Sequence, residues 1–200
     1  MASPEVQARL QEVDATGQRN LEAINARIQS HVPRFNGEMV ALVNSTDAIE
    51  RKIPAFWQLV DEIGAFNEGN VACRRGCSHC CHIAVLLTVE EAQVIGRRIG
   101  RPPAHAPPRT DADDFDYGYH SPCTFLVDGE CSIYENRPLA CRVHYSLDVD
   151  ALLCELTPPE PKPVPFMNDL PFMMAFLQML GMPQRVPVLG EIRDFWPTRG

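Results

Sequence analysis

No apolar run in this 200-residue chain approaches the ~20 residues that a membrane-spanning helix needs. No membrane partner is therefore expected. The opening residues, Met1-Ala2-Ser3-Pro4-Glu5, lack the basic start and apolar core of a secretory signal, so a cytoplasmic protein is expected. Basic charge is in deficit: 18 Lys and Arg stand against 26 Asp and Glu, a formal net charge of −8. That balance argues against a nucleic-acid partner, because phosphate binding draws on a broad cationic footprint. There is no Gly-x-Gly-x-x-Gly loop to cradle a nucleotide, and no internal repeat of structural period.

Cysteine, by contrast, is plentiful at eight residues. A chain of this length, 45% hydrophobic, can build a core without disulfide staples, which are typical of much shorter secreted scaffolds. In a reducing compartment, thiols that lie close in sequence bind metal or do redox chemistry. Arg74, Arg75, Arg97, Arg98 and Arg101 are near the first cysteines in sequence. Positive charge there is expected to lower thiol pKa and offset a thiolate-rich centre.

Ahead of the cysteines, Val6, Leu10, Val13, Leu21, Ile24, Ile28 and Val32 recur mostly at spacings of three and four. They describe one apolar stripe of a long helix, which Pro33 is expected to end. A second helical stretch carries Met39, Leu42, Ile49, Ile53, Phe56, Val60, Ile63 and Phe66. Ser45-Thr46-Asp47 is its restart and Pro54 a kink or break. Together the two stretches predict a helical hairpin.

Past the first cysteines, Ile83 to Leu87 reads as a buried extended segment. Thr88 and Glu91 form a capping box for a helix over Val89–Ile99. The acidic stretch Asp111 to Asp116 reads as a solvated loop. Asp128-Gly129 suits the two-residue turn of a small hairpin, bringing Cys123 and Cys131 to neighbouring strand ends. Pro138 sits at the first turn of a short helix carrying Cys141. Pro158, Pro159, Pro161, Pro163 and Pro165 mark a linker-like stretch. A final apolar helix, Phe172 to Leu180, closes the core, with Met173, Met174 and Met179 filling gaps.

The first cysteine group reads C-x3-C-x2-C-C over Cys73, Cys77, Cys80 and Cys81. Ligands two or three residues apart can wrap one ion when a tight turn, here eased by Gly76, aims successive side chains at a common centre. Cys123, Cys131 and Cys141 supply a second group from distant chain. The expected metal ligands are therefore Cys73, Cys77, Cys80, Cys81, Cys123, Cys131 and Cys141. Cys154 stands outside both groups, and His79, His82 and His144 are assigned supporting or surface roles. Four thiolates suit either a closed zinc site or an iron-sulfur cluster. Seven exceed both: the adjacent Cys80 and Cys81 point in diverging directions and could serve two different metals, or one could ligate while the other packs, so two zinc ions, one cluster with spare thiols, and one ion with redox-active neighbours are all compatible with the spacing.

The stretches Cys73-Arg74-Arg75-Gly76-Cys77-Ser78-His79-Cys80-Cys81, Leu87 to Glu91, Pro122 to Leu126, Gly129 to Glu135 and Arg137 to Arg142 resemble the zinc- or iron-chelating cysteine-cluster family (YkgJ-type, CxxCxxCC). The resemblance covers roughly residues 70 to 145. One departure is visible, three residues rather than two between Cys73 and Cys77. The resemblance implies metal chelation by zinc or iron, an iron-sulfur cluster included. Larger proteins related to this family resemble flagellin lysine methylases, so a metal-dependent protein-modifying enzyme is one alternative and a thiol redox protein another.

The fold expected is mainly α with a small β-hairpin, a long N-terminal helical hairpin packed on a cysteine-rich metal-binding core. Its parts are a helical region over 1–69, a cysteine-cluster core over 70–157, and a Pro-rich segment with a C-terminal apolar helix over 158–200.

Overall fold

The structure, a computed structural model, describes residues 2–108, 118–157, 162–182 and 189–198. The acidic stretch Asp111 to Asp116 and Pro158, Pro159 and Pro161 lie outside them. The protein is mainly helical with small two-stranded sheets, as its periodicities predict.

Helix α1 runs over Pro4–Ile28, with the Ser3 hydroxyl accepting from the Val6 N–H at its start. Pro33 does not end the helical region. The chain passes through a 3₁₀ turn, Gln29–His31, straight into α2, Val32–Asn44, with Pro33 in its first turn. The first-turn N–H groups have no intrahelical acceptor, so a proline there forfeits nothing. Residues 45–48 make the expected break before α3, Ile49–Gly64, which continues through Pro54. The helical hairpin is made by α2 and α3, which pack on each other. The buried Lys52 ammonium ties their junction to the C-terminal helix by donating to the carbonyls of Val43, Ser45 and Met179.

α1 packs elsewhere. Val6 and Val13 meet Leu153, with Leu10, Leu152 and Val164 at the edges, in a small second core. Arg9 forks onto Asp148, fully buried, and Asp150, at 2.9 to 3.0 Å. Gly17 lets the helix approach Pro165, whose Cβ would lie 2.8 Å from any Cβ at position 17. The prolines at 163 and 165 therefore flank packed chain rather than a free linker.

Strand β1, Leu86–Thr88, leads into α4, Val89–Ile99, where Thr88 caps the Glu91 N–H as expected. Strands β2, Leu126–Val127, and β3, Glu130–Cys131, form the small hairpin. Its turn has positive φ at both Asp128 (50°) and Gly129 (81°), the conformation an Asp-Gly pair tolerates best. Then come α5, Leu139–Val143, and α6, Leu170–Met179. The last elements are absent from the sequence reading: β4, Leu189–Glu191, pairs antiparallel with β1, and α7, Ile192–Phe195, follows it. Ile192, Phe195 and Trp196 join Phe56, Trp57 and Ile95 in the main core, with Phe176 and Met179 of α6 closing it.

Glu91 is the polar connector inside this core. Its Oε1 accepts from Trp57 Nε1 of α3 at 2.9 Å and from the Leu139 N–H, which starts α5, at 2.7 Å. Burial pushes the carboxyl up to about 7 from 4.5, against the pull of those two bonds and of the Arg142 cation. Glu91→Ala strands two buried donors at about 1–3 kcal/mol each, so a loss of about 3 kcal/mol is expected in urea unfolding. Glu91→Gln keeps the acceptor. Because the folded carboxyl holds its proton longer than the unfolded one, its stabilisation is complete below pH 4.5 and is lost as pH rises to about 7. The Gln variant should therefore gain on the wild type across that window, and a constant difference would refute this account.

Candidate metal centre

A short-range fold-back shapes the first cysteine segment. The Cys77 N–H bonds to the Arg74 carbonyl at 3.0 Å around Gly76, whose φ of 86° suits glycine. A 3₁₀ turn over His79–His82 then carries Cys80 and Cys81, with the Cys81 N–H on the Ser78 carbonyl at 2.9 Å. The second group docks directly on the first, since the Cys123 N–H donates to the Cys81 carbonyl at 2.7 Å. Cys131 comes from β3, opposite Leu126, and Cys141 from α5.

Arg193, from α7, clamps these segments. Its guanidinium donates to the carbonyls of Ser121 at 3.1 Å, Ile83 at 3.2 Å and Cys81 at 3.3 Å, and it is held by Glu191. No motif pointed to this residue. A late arginine after a strand has no local signature, and its partners are backbone atoms far away in sequence.

All seven predicted cysteines line one cavity of about 130 Å³, together with Arg74, Arg75, Arg137 and His144. Its inner wall belongs to the main core: Cys123 is buried in it, and Cys81, Cys131 and Cys141 pack against it. Among the described residues, no three Cys, His, Asp or Glu side chains already converge closely enough to hold an ion. The thiols surround a space, and closing on an ion would require rotation about their Cα–Cβ bonds. The donor set fits zinc or an iron-sulfur cluster, both of which are held by soft sulfur ligands as thiolates. All eight cysteines are free thiols.

The electrostatics reverse one expectation. Of the five arginines near the first group in sequence, only Arg74 and Arg75 line the cavity. Arg97 pairs with Glu50, Arg98 bonds Asn136, and Arg101 bonds the Pro197 carbonyl. Burial wins over charge. It pushes the Cys73 and Cys123 thiols up to about 11 and raises Cys131 and, further, Cys141. Cys80 rises mainly through its hydrogen bond with the Cys81 thiol, then through burial. The cations that offset this in part are Arg137, toward Cys80, Cys131 and Cys141, Arg142, toward Cys131, and Arg193, toward Cys123.

The histidines divide. His79 shares a 2.9 Å hydrogen bond with the Tyr119 hydroxyl, and His82 packs edge-on against the same ring. His144 instead lines the cavity, stacked on Phe166, and burial favours its neutral form. Cys154, which its spacing set apart from both groups, is not remote from them. It lines an adjoining cavity shared with Cys73, Cys77 and Cys80.

A buried, thiol-walled cavity assembled from four stretches of chain is the construction of a metal-binding domain. Residues 72–157 match the model of the CxxCxxCC family, described as "Putative zinc- or iron-chelating domain". The match supports metal binding, with zinc or iron as the ion. It also reaches past Cys154. Comparison with curated proteins and with solved structures gave no match.

A thiol whose folded pKa exceeds its unfolded value keeps its proton where the unfolded chain has lost it, so stability falls as pH rises through that interval. For Cys73 and Cys123 the interval runs from 9.0 to about 11. The metal-free protein should therefore lose Tm progressively over this range. Metal-loaded protein should resist the change, because its ligating sulfurs are already thiolates. Equal alkaline sensitivity of the two forms would show that these thiols are not the ligands.

Proposed function

We propose that the protein chelates zinc or iron through Cys73, Cys77, Cys80, Cys81, Cys123, Cys131 and Cys141, the ion or cluster being held in the cavity they line. The observation that carries this reading is the gathering of all seven, from four separate stretches, around one buried space. Deprotonating a buried thiol is costly on its own, and a cation beside it removes that cost. An iron-sulfur cluster is the second form of the same reading. The wall arginines Arg74, Arg75 and Arg137 favour it, since a thiolate-ligated cluster carries net negative charge. Either form requires a reducing compartment, which the cytoplasm provides.

The bound group would supply a cross-link between the first cysteine turn, the hairpin and α5. Apparent binding free energies of about 10–16 kcal/mol for structural zinc in small peptides equal or exceed the whole stability of a typical domain, about 5–15 kcal/mol. Stripping the metal with an external chelator should therefore lower Tm sharply.

Anaerobic purification followed by elemental analysis and an absorption spectrum tests the proposal. Stoichiometric zinc in a colourless protein, or iron in a brown one, is expected. Cys77→Ser, Cys80→Ser and Cys131→Ser should each reduce metal content at least roughly twofold. Folded protein with no zinc or iron, before or after incubation with either ion, would refute it.

A further inference from the structure

The eight thiols do not form one undivided group. Two cavities adjoin in this part of the molecule, and the cysteines are shared unevenly between them. Cys73, Cys77 and Cys80 line both, and Cys154 lines only the second, outer cavity, of about 360 Å³. Cys81, Cys123, Cys131 and Cys141 line only the first. Packing divides them the same way. The latter four are set in or against the main hydrophobic core, and none of the former is. The boundary falls between two consecutive residues, Cys80 and Cys81, whose thiols are hydrogen-bonded to each other.

The outer group has a scaffold of its own. Cys154 lies on a 3₁₀ turn, Leu152–Cys154, whose Leu153 is sealed under α1 by Val6 and Val13. Arg9 of α1 fixes the preceding chain through Asp148 and Asp150. Ser146 joins the two cysteine-bearing segments: its N–H donates to Cys73 Sγ at 3.3 Å, its carbonyl accepts from the Ala72 N–H at 2.9 Å, and its hydroxyl bonds Cys154. Helix α1 thus positions a fourth sulfur beside the first cysteine turn.

We propose that the domain holds two metal centres rather than one, an outer one on Cys73, Cys77, Cys80 and Cys154 and an inner one on Cys81, Cys123, Cys131 and Cys141. This rests on the chelation proposed above and assigns Cys154 a ligand role that spacing alone withheld. Four thiolates complete a tetrahedral zinc shell, or the ligation of one iron-sulfur cluster. Eight sulfurs in two groups of four leave no thiol spare, and the contiguous Cys80 and Cys81 stand where the two groups meet. Each ion displaces the thiol protons of its own group.

Full-length protein, stripped of metal under anaerobic conditions and reloaded with Zn²⁺ alone, gives the test. After removal of excess ion, the wild type should retain two zinc ions per chain, and Cys154→Ser and Cys141→Ser one each. A second measurement needs no variant. Alkylation mapped by mass spectrometry on wild type, metal-free against loaded, should show Cys154 becoming protected in step with Cys73 and Cys77. One zinc per wild-type chain, two in Cys154→Ser, or Cys154 labelled while Cys73 and Cys77 are protected, would each overturn the second centre and leave chelation standing. A wild type that retains no zinc after reloading, and held neither zinc nor iron as purified, would remove both.

Discussion

Thiols in a dry place govern this structure. Sulfhydryls are tolerated inside proteins because they behave as small, weakly polar hydrophobes, so cysteines from distant segments can be packed into and against a core without a hydrogen-bonding demand. Ionising them is another matter. Burial holds several of these thiols in the protonated state well above their ordinary range, and the nearby cations offset only part of it. A metal cation that replaces the protons of such thiols removes the cost of ionising them.

The hydrophobic core and the cavity share walls, which couples the fold to the site. Cys123 belongs to the same buried cluster as Phe125, Leu139 and Trp196. The polar residues within that cluster are connectors: Glu91 joins α3, α4 and the start of α5, and Arg193 joins the C-terminal turn to the first and second cysteine segments. Arg142, 2% exposed, donates to the carbonyls of Glu135 and Arg137, pairs with Asp61, and lies 4.9 Å from the centre of the Trp57 ring. Each is a buried or half-buried polar group that would be costly alone and is held by hydrogen-bond partners. Together they fix where α5, and with it Cys141, sits.

The arginines show how proximity in sequence misleads. Arg97 and Arg98 follow the first cysteines closely along the chain, yet α4 carries them away to Glu50 and Asn136. The cations that offset the buried thiols come from positions 137, 142 and 193, the last of them more than a hundred residues after Cys81. Charge acts over ångströms, and a helix of eleven residues is about 16 Å long.

Local chemistry was legible in the sequence. The α4 boundaries, the Thr88 cap, the Asp-Gly hairpin turn and the proline before α5 each follow from rules that operate within a few residues, and the C-x3-C-x2-C-C spacing announced the first cysteine turn. What the sequence could not decide was everything set by chain returning from afar. That includes the pairing of β4 with β1, the burial of Trp196, the packing of α1 on the segment that carries Cys154, and the division of sulfurs between two cavities. Spacing limits how near two side chains can lie along the chain. Which distant surfaces meet is decided by the apolar area they bury and the polar groups they satisfy together, and neither exists until the whole chain has folded.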